Sequence, residues 1–346
     1  MKNYKILHIL NDNNGGIKSA VANLVNLFPG STALNIETKD VFKVLYKFKK
    51  ISANYDAVHF HGAWQLHILL SFFCQKPIII SPHGSFHPMG LKKSKIKKQI
   101  AKNIYVKFCY GLADCICALT KNESDYIRDF GIKYTPIMII PNAIDFDLKL
   151  NINEIKKKEL LNLANGRKII LSLCRLDPQK GLEMLIDSFK LLNDANAVLF
   201  IAGNGNENFT NKLRDKIIDL NLENHIFLLG YLSGANKFAA FSISDVYVLP
   251  SFNEGFGITI LEAYRQKVPV ITTTTTPFDD IEREQFGWYI EPNLESLYNA
   301  LNDALHTPKK RLEKMGDMGA QFMRKRYSLN IIYKSYKKLY DEIIGK

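Results

Sequence analysis

Two carboxylates stand eight positions apart in the segment Pro250-Ser251-Phe252-Asn253-Glu254-Gly255-Phe256-Gly257-Ile258-Thr259-Ile260-Leu261-Glu262-Ala263. An apolar run precedes it and an amphipathic run follows, so it reads as strand end, loop and helix start. Gly255 and Gly257 let the backbone N–H groups of Phe256, Gly257, Ile258 and Thr259 face a ligand. Glu254 falls in the loop, and Glu262 about a turn and a half into the helix. Carboxylates so placed accept hydrogen bonds from vicinal sugar hydroxyls, as acidic residues do with ribose in nucleotide sites. The pair would hold two ends of a sugar nucleotide. The plainer alternative is one surface Glu and one helix-stabilising Glu.

A second segment, Cys174-Arg175-Leu176-Asp177-Pro178-Gln179-Lys180-Gly181, also ends a strand and opens a helix. Arg175 and Lys180 would flank that helix's N-terminus. Two cations plus helix N–H groups suit a diphosphate, with Arg as a bidentate clamp and Lys as a point charge; a solvated pair of surface charges is the alternative. Ser81-Pro82-His83-Gly84-Ser85 follows a third strand. There His83 could donate to a sugar hydroxyl, carry a proton, or simply bond backbone in a tight loop. Gly15 and Gly16 lie between the first strand and first helix, where paired glycines admit an anion or make a plain turn. They are not part of a G-x-G-x-x-G fingerprint. His59 and His61 end another strand and read as structural. Metal binding by this His group lacks a carboxylate or Cys at ligand spacing. Asp145-Phe146-Asp147 spells D-x-D but reads as linker, and no metal is expected.

The elements that must position these residues alternate strand and helix, which means parallel sheets covered by helices on both faces. Strands are predicted at Lys5–Leu10, Ala57–Phe60, Pro77–Ser81, Cys115–Leu119 and Ile137–Ile140, then at Lys168–Leu173, Ala197–Ala202, Ile226–Leu229, Val246–Leu249 and Val270–Thr273. Two series of about five strands imply two doubly wound α/β domains, 1–150 and 151–326. The boundary is expected at Pro141–Asn142 and the polar stretch Asn151–Glu159. A last helix within 327–346 is expected to cross back to the first domain. In such sheets ligands sit beyond the carboxyl ends of the strands, and two facing domains would place a site in the cleft between them.

The constellation resembles the retaining glycosyltransferases of family 4, which have the GT-B fold of two Rossmann-like domains. Glu254 and Glu262 match that family's E-x7-E motif. Arg175 and Lys180 match its R-L-x-x-x-K-G segment, His83 its P-H-G loop, and Gly15-Gly16 its N-terminal Gly-Gly loop. Ile201-Ala202-Gly203-Asn204-Gly205 is similar to its I-x-G-x-G turn, and Val268-Pro269-Val270-Ile271 to its P-V-I strand. The match is dense from Lys168 to Ile281 and sparser before Pro141. The resemblance implies that Glu262 holds the donor's ribose and that Arg175 and Lys180 neutralise the leaving diphosphate. It implies that Glu254, with the backbone of Phe256 to Ile258, binds the donor sugar, which His83 also contacts near the reacting carbon. It further implies front-face attack with retention and no side-chain nucleophile. Two departures stand out. Cys174 replaces a common Gly, and Gln266-Lys267-Val268 replaces a small A-x-G, so the end of that helix is expected to pack differently.

The charge of +12 is unevenly spread, with 20 basic against 10 acidic residues in the first 150. Lys92, Lys93, Lys95, Lys97, Lys98, Lys102 and Lys107 surround Ile96, Ile100 and Ile104, the pattern of a basic amphipathic helix. Lys43, Lys47, Lys49 and Lys50, with Tyr46 and Phe48, form a second basic-aromatic patch. Both would attract anionic lipid, and a lipid-linked pyrophosphate acceptor would suit them; the alternative is a solvated helix packed on the sheet by its isoleucines.

At 47% hydrophobic and 23% charged, the composition excludes disorder as the main state. Five cysteines without a C-x-x-C pair argue against a disulfide framework or structural zinc site. Met1–Leu10 is too short for a signal peptide, and Trp64–Cys74 too short for a membrane span. The sequence therefore reads as a cytoplasmic enzyme docked on the inner face of the plasma membrane. It would move a sugar from a nucleoside-diphosphate donor, UDP- or GDP-linked, to a growing surface glycan such as O-antigen, capsule or exopolysaccharide, without metal or other cofactor. A transferase for a soluble acceptor is the nearest alternative. A nucleic-acid-binding module has only the charge in its favour, with no zinc, RRM or KH signature. An inactive scaffold is opposed by the intact Glu254, Glu262, Arg175 and Lys180.

Overall fold

The structure, a computed structural model, describes residues 4–11, 16–88, 91 and 95–345, without the side chains of residues 95–97. Gly15, Lys92 and Lys93 lie outside the described residues, as do the side chains of Lys95, Ile96 and Lys97. The chain separates into two compact units, one built from residues up to Ile144 together with those from Tyr327 on, the other from Asp145–Arg326.

The first unit holds a six-stranded sheet: β1 (Ile6–Leu10), β2 (Thr32–Asn35), β3 (Ala57–His61), β4 (Ile78–Ser81), β5 (Cys115–Ala118) and β6 (Ile137–Ile139), in the order β2-β1-β3-β4-β5-β6. Every pairing is parallel, with His8 opposite His59 and His61 opposite Ser81. The four inner strands β1, β3, β4 and β5 are buried on both faces. Leu7, Ile9, Phe60, Ile80 and Ile116 enter one core with Phe48, Phe86 and Tyr110. Their neighbours Ile6, Ala57, Ile79, Cys115 and Cys117 enter the other, with Phe28, Tyr336 and Tyr340. The last two come from the terminal helix Leu329–Ile344, which is also tied by the Tyr4 hydroxyl donating to Asp341 at 2.6 Å. Burying each such aromatic is worth about 1.5–3 kcal/mol.

The second unit repeats the plan: β7 (Lys168–Leu173), β8 (Ala197–Ala202), β9 (Ile226–Gly230), β10 (Val246–Leu249), β11 (Val270–Thr273) and β12 (Gly287–Ile290), ordered β12-β11-β10-β7-β8-β9 and parallel throughout. Chain order reverses between β7 and β10, and ligands of such sheets sit beyond the strand ends at this switch point. In the first unit the reversal falls between β1 and β3.

Four elements differ from the expectation. Edge strands β2 and β12 bring each sheet to six; β2 has exposed residues and little apolar alternation to announce it. Residues of the second basic patch form helix Val41–Ser52, buried through Val41 and Phe48. The stretch expected as a polar boundary runs into helix Glu154–Ala164, whose N-cap Asn153 accepts from Ile155 and Lys156 N–H groups at 3.1 Å.

The basic amphipathic helix forms, but with its faces exchanged. Helix Lys95–Ala101 passes through a π-helical turn, Lys102–Val106, into helix Lys107–Gly111. A π turn advances the chain by one extra residue per turn. Val106, Cys109 and Tyr110 are buried, whereas Ile100 (54% exposed) and Ile104 (66%) face outward. Lys98 and Lys102 instead cover the Trp64 and Phe130 rings.

Candidate functional site

In the second unit, three loops at the carboxyl ends of β7, β8 and β10 are fastened to one another. The Leu176 N–H donates to the Asn204 carbonyl at 2.8 Å. A Cβ on Gly203 would lie 1.8 Å from the Cys174 carbonyl oxygen, and one on Gly205 2.0 Å from that of Leu176. Only glycine lets these backbones approach so closely. On the other side the Phe252 N–H donates to the Gln179 carbonyl at 2.8 Å. Gly181, at φ +68, has the Pro250 carbonyl 2.1 Å from where its Cβ would be. Thr273 and Thr275 both donate to the Ser251 carbonyl, at 2.7 and 2.9 Å. The threonine run, unremarkable in sequence, is a brace for the loop after β10.

These contacts bring Lys180 to Glu254, Nζ to Oε2 at 2.6 Å, with the Ser251 hydroxyl donating to the same oxygen at 3.3 Å. Both side chains are largely buried. Arg175 stands at the same strand end but reaches outward, 3.9 Å from Asp177. Gly257, at φ +85, turns the chain into helix Ile258–Arg265. The first N–H groups of a helix have no intrahelical acceptor. Tyr247 on β10 anchors this helix. Its buried hydroxyl lies 2.9 Å from the Leu173 carbonyl and 2.6 Å from the Thr259 hydroxyl, donating to the first and accepting from the second. Burial pushes its pKa well above the ordinary value, so it stays a neutral donor.

Glu262 is the other end of the site. Its Oε1 accepts from Lys237 Nζ at 2.6 Å, while its Oε2 is buried without a hydrogen-bond partner. Lys237 lies on helix Gly234–Ser242 and was not marked by any motif; nothing local in the sequence announces a partner 25 residues away. The helix carrying Glu262 ends as a Schellman turn, with the Val268 N–H donating to the Ala263 carbonyl at 3.0 Å. Lys267 takes the left-handed residue, φ +60, which glycine usually supplies. The Gln266-Lys267-Val268 segment thus closes the helix in this turn, and Arg265 covers the Phe238 ring.

Asp145 and Asp147 form a turn, the Asp147 N–H donating to Asp145 Oδ1 at 2.9 Å, and Asp147 pairs with Arg324 at 2.8 Å.

In the first unit His83 occupies a tight turn at φ +53, and its Nε2 lies 2.9 Å from His61 Nδ1. It is thus held by a side chain, not by backbone alone. Gly84, at φ +77, donates its N–H to Glu123 Oε1, and the Leu119 N–H donates to Glu123 Oε2 at 2.7 Å. Burial pushes the Glu123 carboxyl up to about 7, outweighing the two backbone donors. Thr120-x-x-Glu123 has the form of a capping box, which gives no sign of a partner 39 residues away. Thr120 does cap, accepting from the Glu123 N–H at 3.0 Å, but the carboxylate goes to the histidine loop. Gly16 opens helix Gly16–Leu27.

The profile of the family described as Glycosyl transferases group 1 matches residues 152–322, and that of Glycosyltransferase Family 4 matches residues 20–148. An uncharacterised glycosyltransferase of Methanocaldococcus jannaschii is 28% identical over 70% of this chain, which spans 64% of that relative. The UDP-Gal:alpha-D-GlcNAc-diphosphoundecaprenol alpha-1,3-galactosyltransferase of Escherichia coli is 28% identical over 74% of this chain and 68% of its own. Among solved structures, Anabaena HepE in complex with UDP and glucose superposes with a TM-score of 0.78 at 15% identity, over 98% of this chain and 100% of that one. The likeness is one of fold, and the fold is GT-B.

Proposed function

Because the chain belongs to the group 1 glycosyltransferases of family 4, we propose that it transfers a hexose from a nucleoside-diphosphate sugar to a lipid-linked or growing surface glycan, with retention of configuration. The observation that carries the donor half is Glu262, a carboxylate with one oxygen fixed by Lys237 and the other buried and unpartnered. An orphan acceptor of this kind is costly unless a donor such as a ribose hydroxyl satisfies it.

Glu254 and the backbone N–H groups of Phe256, Gly257, Ile258 and Thr259 hold the sugar and the phosphates, with Gly203 keeping the neighbouring loop in register. Arg175 and Lys180 carry the diphosphate charge. An ammonium has three donors, so Lys180 can serve Glu254 and a phosphate oxygen together. Charge neutralised in this way lowers the barrier to departure of the nucleoside diphosphate, and the departing phosphate takes the acceptor's proton. No metal ion is required in this reading. His83 meets the transferred sugar, and Gly15 and Gly16 the phosphate or acceptor side.

The E. coli relative's name describes a diphosphoundecaprenol acceptor, and the first unit has a surface suited to one. Tyr46 (91% exposed) and Phe42 on helix Val41–Ser52 lie on the same unit as exposed Phe72 and Phe73 of the 3-10 helix Leu66–Phe73, and exposed Ile104 and Phe108. Lys47, Lys49 and Lys50 are exposed beside them. Aromatic side chains with flanking lysines bind the headgroup region of anionic membranes. Among the described residues no helix is long and apolar enough to cross a membrane. We place the enzyme peripherally, on the cytoplasmic face.

The test is thermal unfolding with UDP, GDP, ADP and dTDP, each with magnesium and with EDTA. A nucleotide at 100 times its Kd stabilises by about 2.7 kcal/mol. The expected result is a shift with one base, unchanged by EDTA and lost in Glu262→Ala. No shift with any nucleotide at millimolar concentration would sink the donor site.

A further inference from the structure

Behind His83 lies a row of buried imidazoles that the transferase reading does not use. His8 on β1 and His59 and His61 on β3 are buried, with the His61 ring stacked on those of His8 and His59. His8 Nδ1 is 3.0 Å from His61 Nε2, and His61 Nδ1 is 2.9 Å from His83 Nε2. A neutral imidazole has one N–H and one lone pair, so placing one proton fixes all the others. His8 Nε2 is buried with no partner. Were it protonated, it would be an orphaned buried N–H, the rarer and costlier kind of unmet group. A bare lone pair is what the neighbouring His67 already shows. Its Nε2 lies 2.9 Å from the His61 carbonyl and must donate, which leaves its unpartnered Nδ1 unprotonated. Burial also lowers the pKa of His8 to about 3, and of His59 and His61 well below normal, keeping the row uncharged.

We propose that His8 and His61 act as positioning residues that set the tautomer of His83. His8 Nδ1–H donates to His61 Nε2, and His61 Nδ1–H donates to His83 Nε2, so His83 keeps its proton on Nδ1. His83 then serves its site as a hydrogen-bond donor and not as a base. To take up a proton at Nε2 it would have to reverse the whole row and leave an orphaned N–H on His8. That the donor acts on a sugar oxygen rests on the transferase reading; the tautomer itself does not.

The experiment is long-range 1H–15N correlation NMR on protein carrying 15N-labelled histidine at pH 7, with signals assigned by their loss in His83→Asn and His61→Phe. The expected result is His8, His61 and His83 neutral and protonated at Nδ1. A His83 signal protonated at Nε2, charged, or averaged between tautomers would overturn the proposal. So would stoichiometric zinc in the purified protein that is lost in His8→Ala, since a metal would occupy the lone pairs the row needs. In His61→Phe, or His61→Leu if the first does not fold, the His83 signal should leave the pure Nδ1–H form; an unchanged signal would remove His61 from the proposal. Where a donor sugar is known, His61→Phe should lower kcat about tenfold with KM within about twofold. Failure of that arm alone, with the NMR result as expected, counts against the sugar contact and leaves the tautomer assignment standing.

Discussion

At the scale of single residues, the carboxylates divide into those legible in the sequence and those that are not. Glu254 and Glu262 are visible because their spacing and the intervening glycines are local. Lys237 and Glu123 are invisible because what they touch lies 25 and 39 positions away. Glu123 carries a measurable signature. Its folded pKa of about 7 lies above its ordinary 4.5, so the folded state binds a proton that the unfolded state releases. The resulting stability is complete below about pH 4.5 and is lost as pH rises through about 7, a span of about 3 kcal/mol. Chemical denaturation from pH 4 to 8 should show wild-type stability falling across that window relative to Glu123→Gln, which has no such titration. At the donor site, Glu262→Ala leaves the Lys237 ammonium half-buried and alone. Nucleotide affinity should fall by roughly tenfold to a hundredfold, the worth of a hydrogen bond to a charged group, as read by calorimetry. Glu262→Gln should retain part of it.

At the scale of elements, the sequence pattern places helices and inner strands but not the face a helix presents. The isoleucines at 96, 100 and 104 have helical spacing, yet Ile100 is exposed ahead of the π turn at Lys102–Val106 and Ile104 within it, while Val106 and Tyr110 are buried. Periodicity cannot register an extra residue that only tertiary packing stabilises. Urea unfolding should therefore find Ile104→Ser within about 0.5 kcal/mol of wild type, and Val106→Ala lower by about 2 kcal/mol. The reverse order would restore the isoleucine face to the core. Lys267 offers a gain. A non-glycine residue in the left-handed region costs roughly 1–2 kcal/mol, and its exposed pairing with Asp317 offsets only a fraction of that. Lys267→Gly should raise the melting temperature by a few degrees, and an unchanged or lower value would mean the Lys is not held at φ +60.

At the scale of the whole molecule, alternating strand and helix made two doubly wound units readable, while edge strands β2 and β12 escaped because short, exposed or half-buried strands carry little pattern. The charge asymmetry was equally plain, as was Tyr46 among the lysines of the second patch, whereas the exposed Phe42, Phe72 and Phe73 were not. With Lys47→Glu and Lys50→Glu combined, each replaced cation removes about 1 kcal/mol of attraction and each new anion adds repulsion. Co-sedimentation with vesicles rich in phosphatidylglycerol should fall at least tenfold, and Tyr46→Ala with Phe108→Ala should weaken binding further at high salt, where charge is screened. Equal partition of all variants would return these lysines to the solvated surface. The knot of loops after β7, β8 and β10 bears on how such an enzyme changes its donor. Gly203, Gly205 and Gly181 admit no side chain because each abuts another loop's carbonyl. A loop inherited singly from a relative would meet two that were shaped for something else. Exchange of donor preference, by divergence or by grafting in the laboratory, should therefore proceed by moving the three as one cassette.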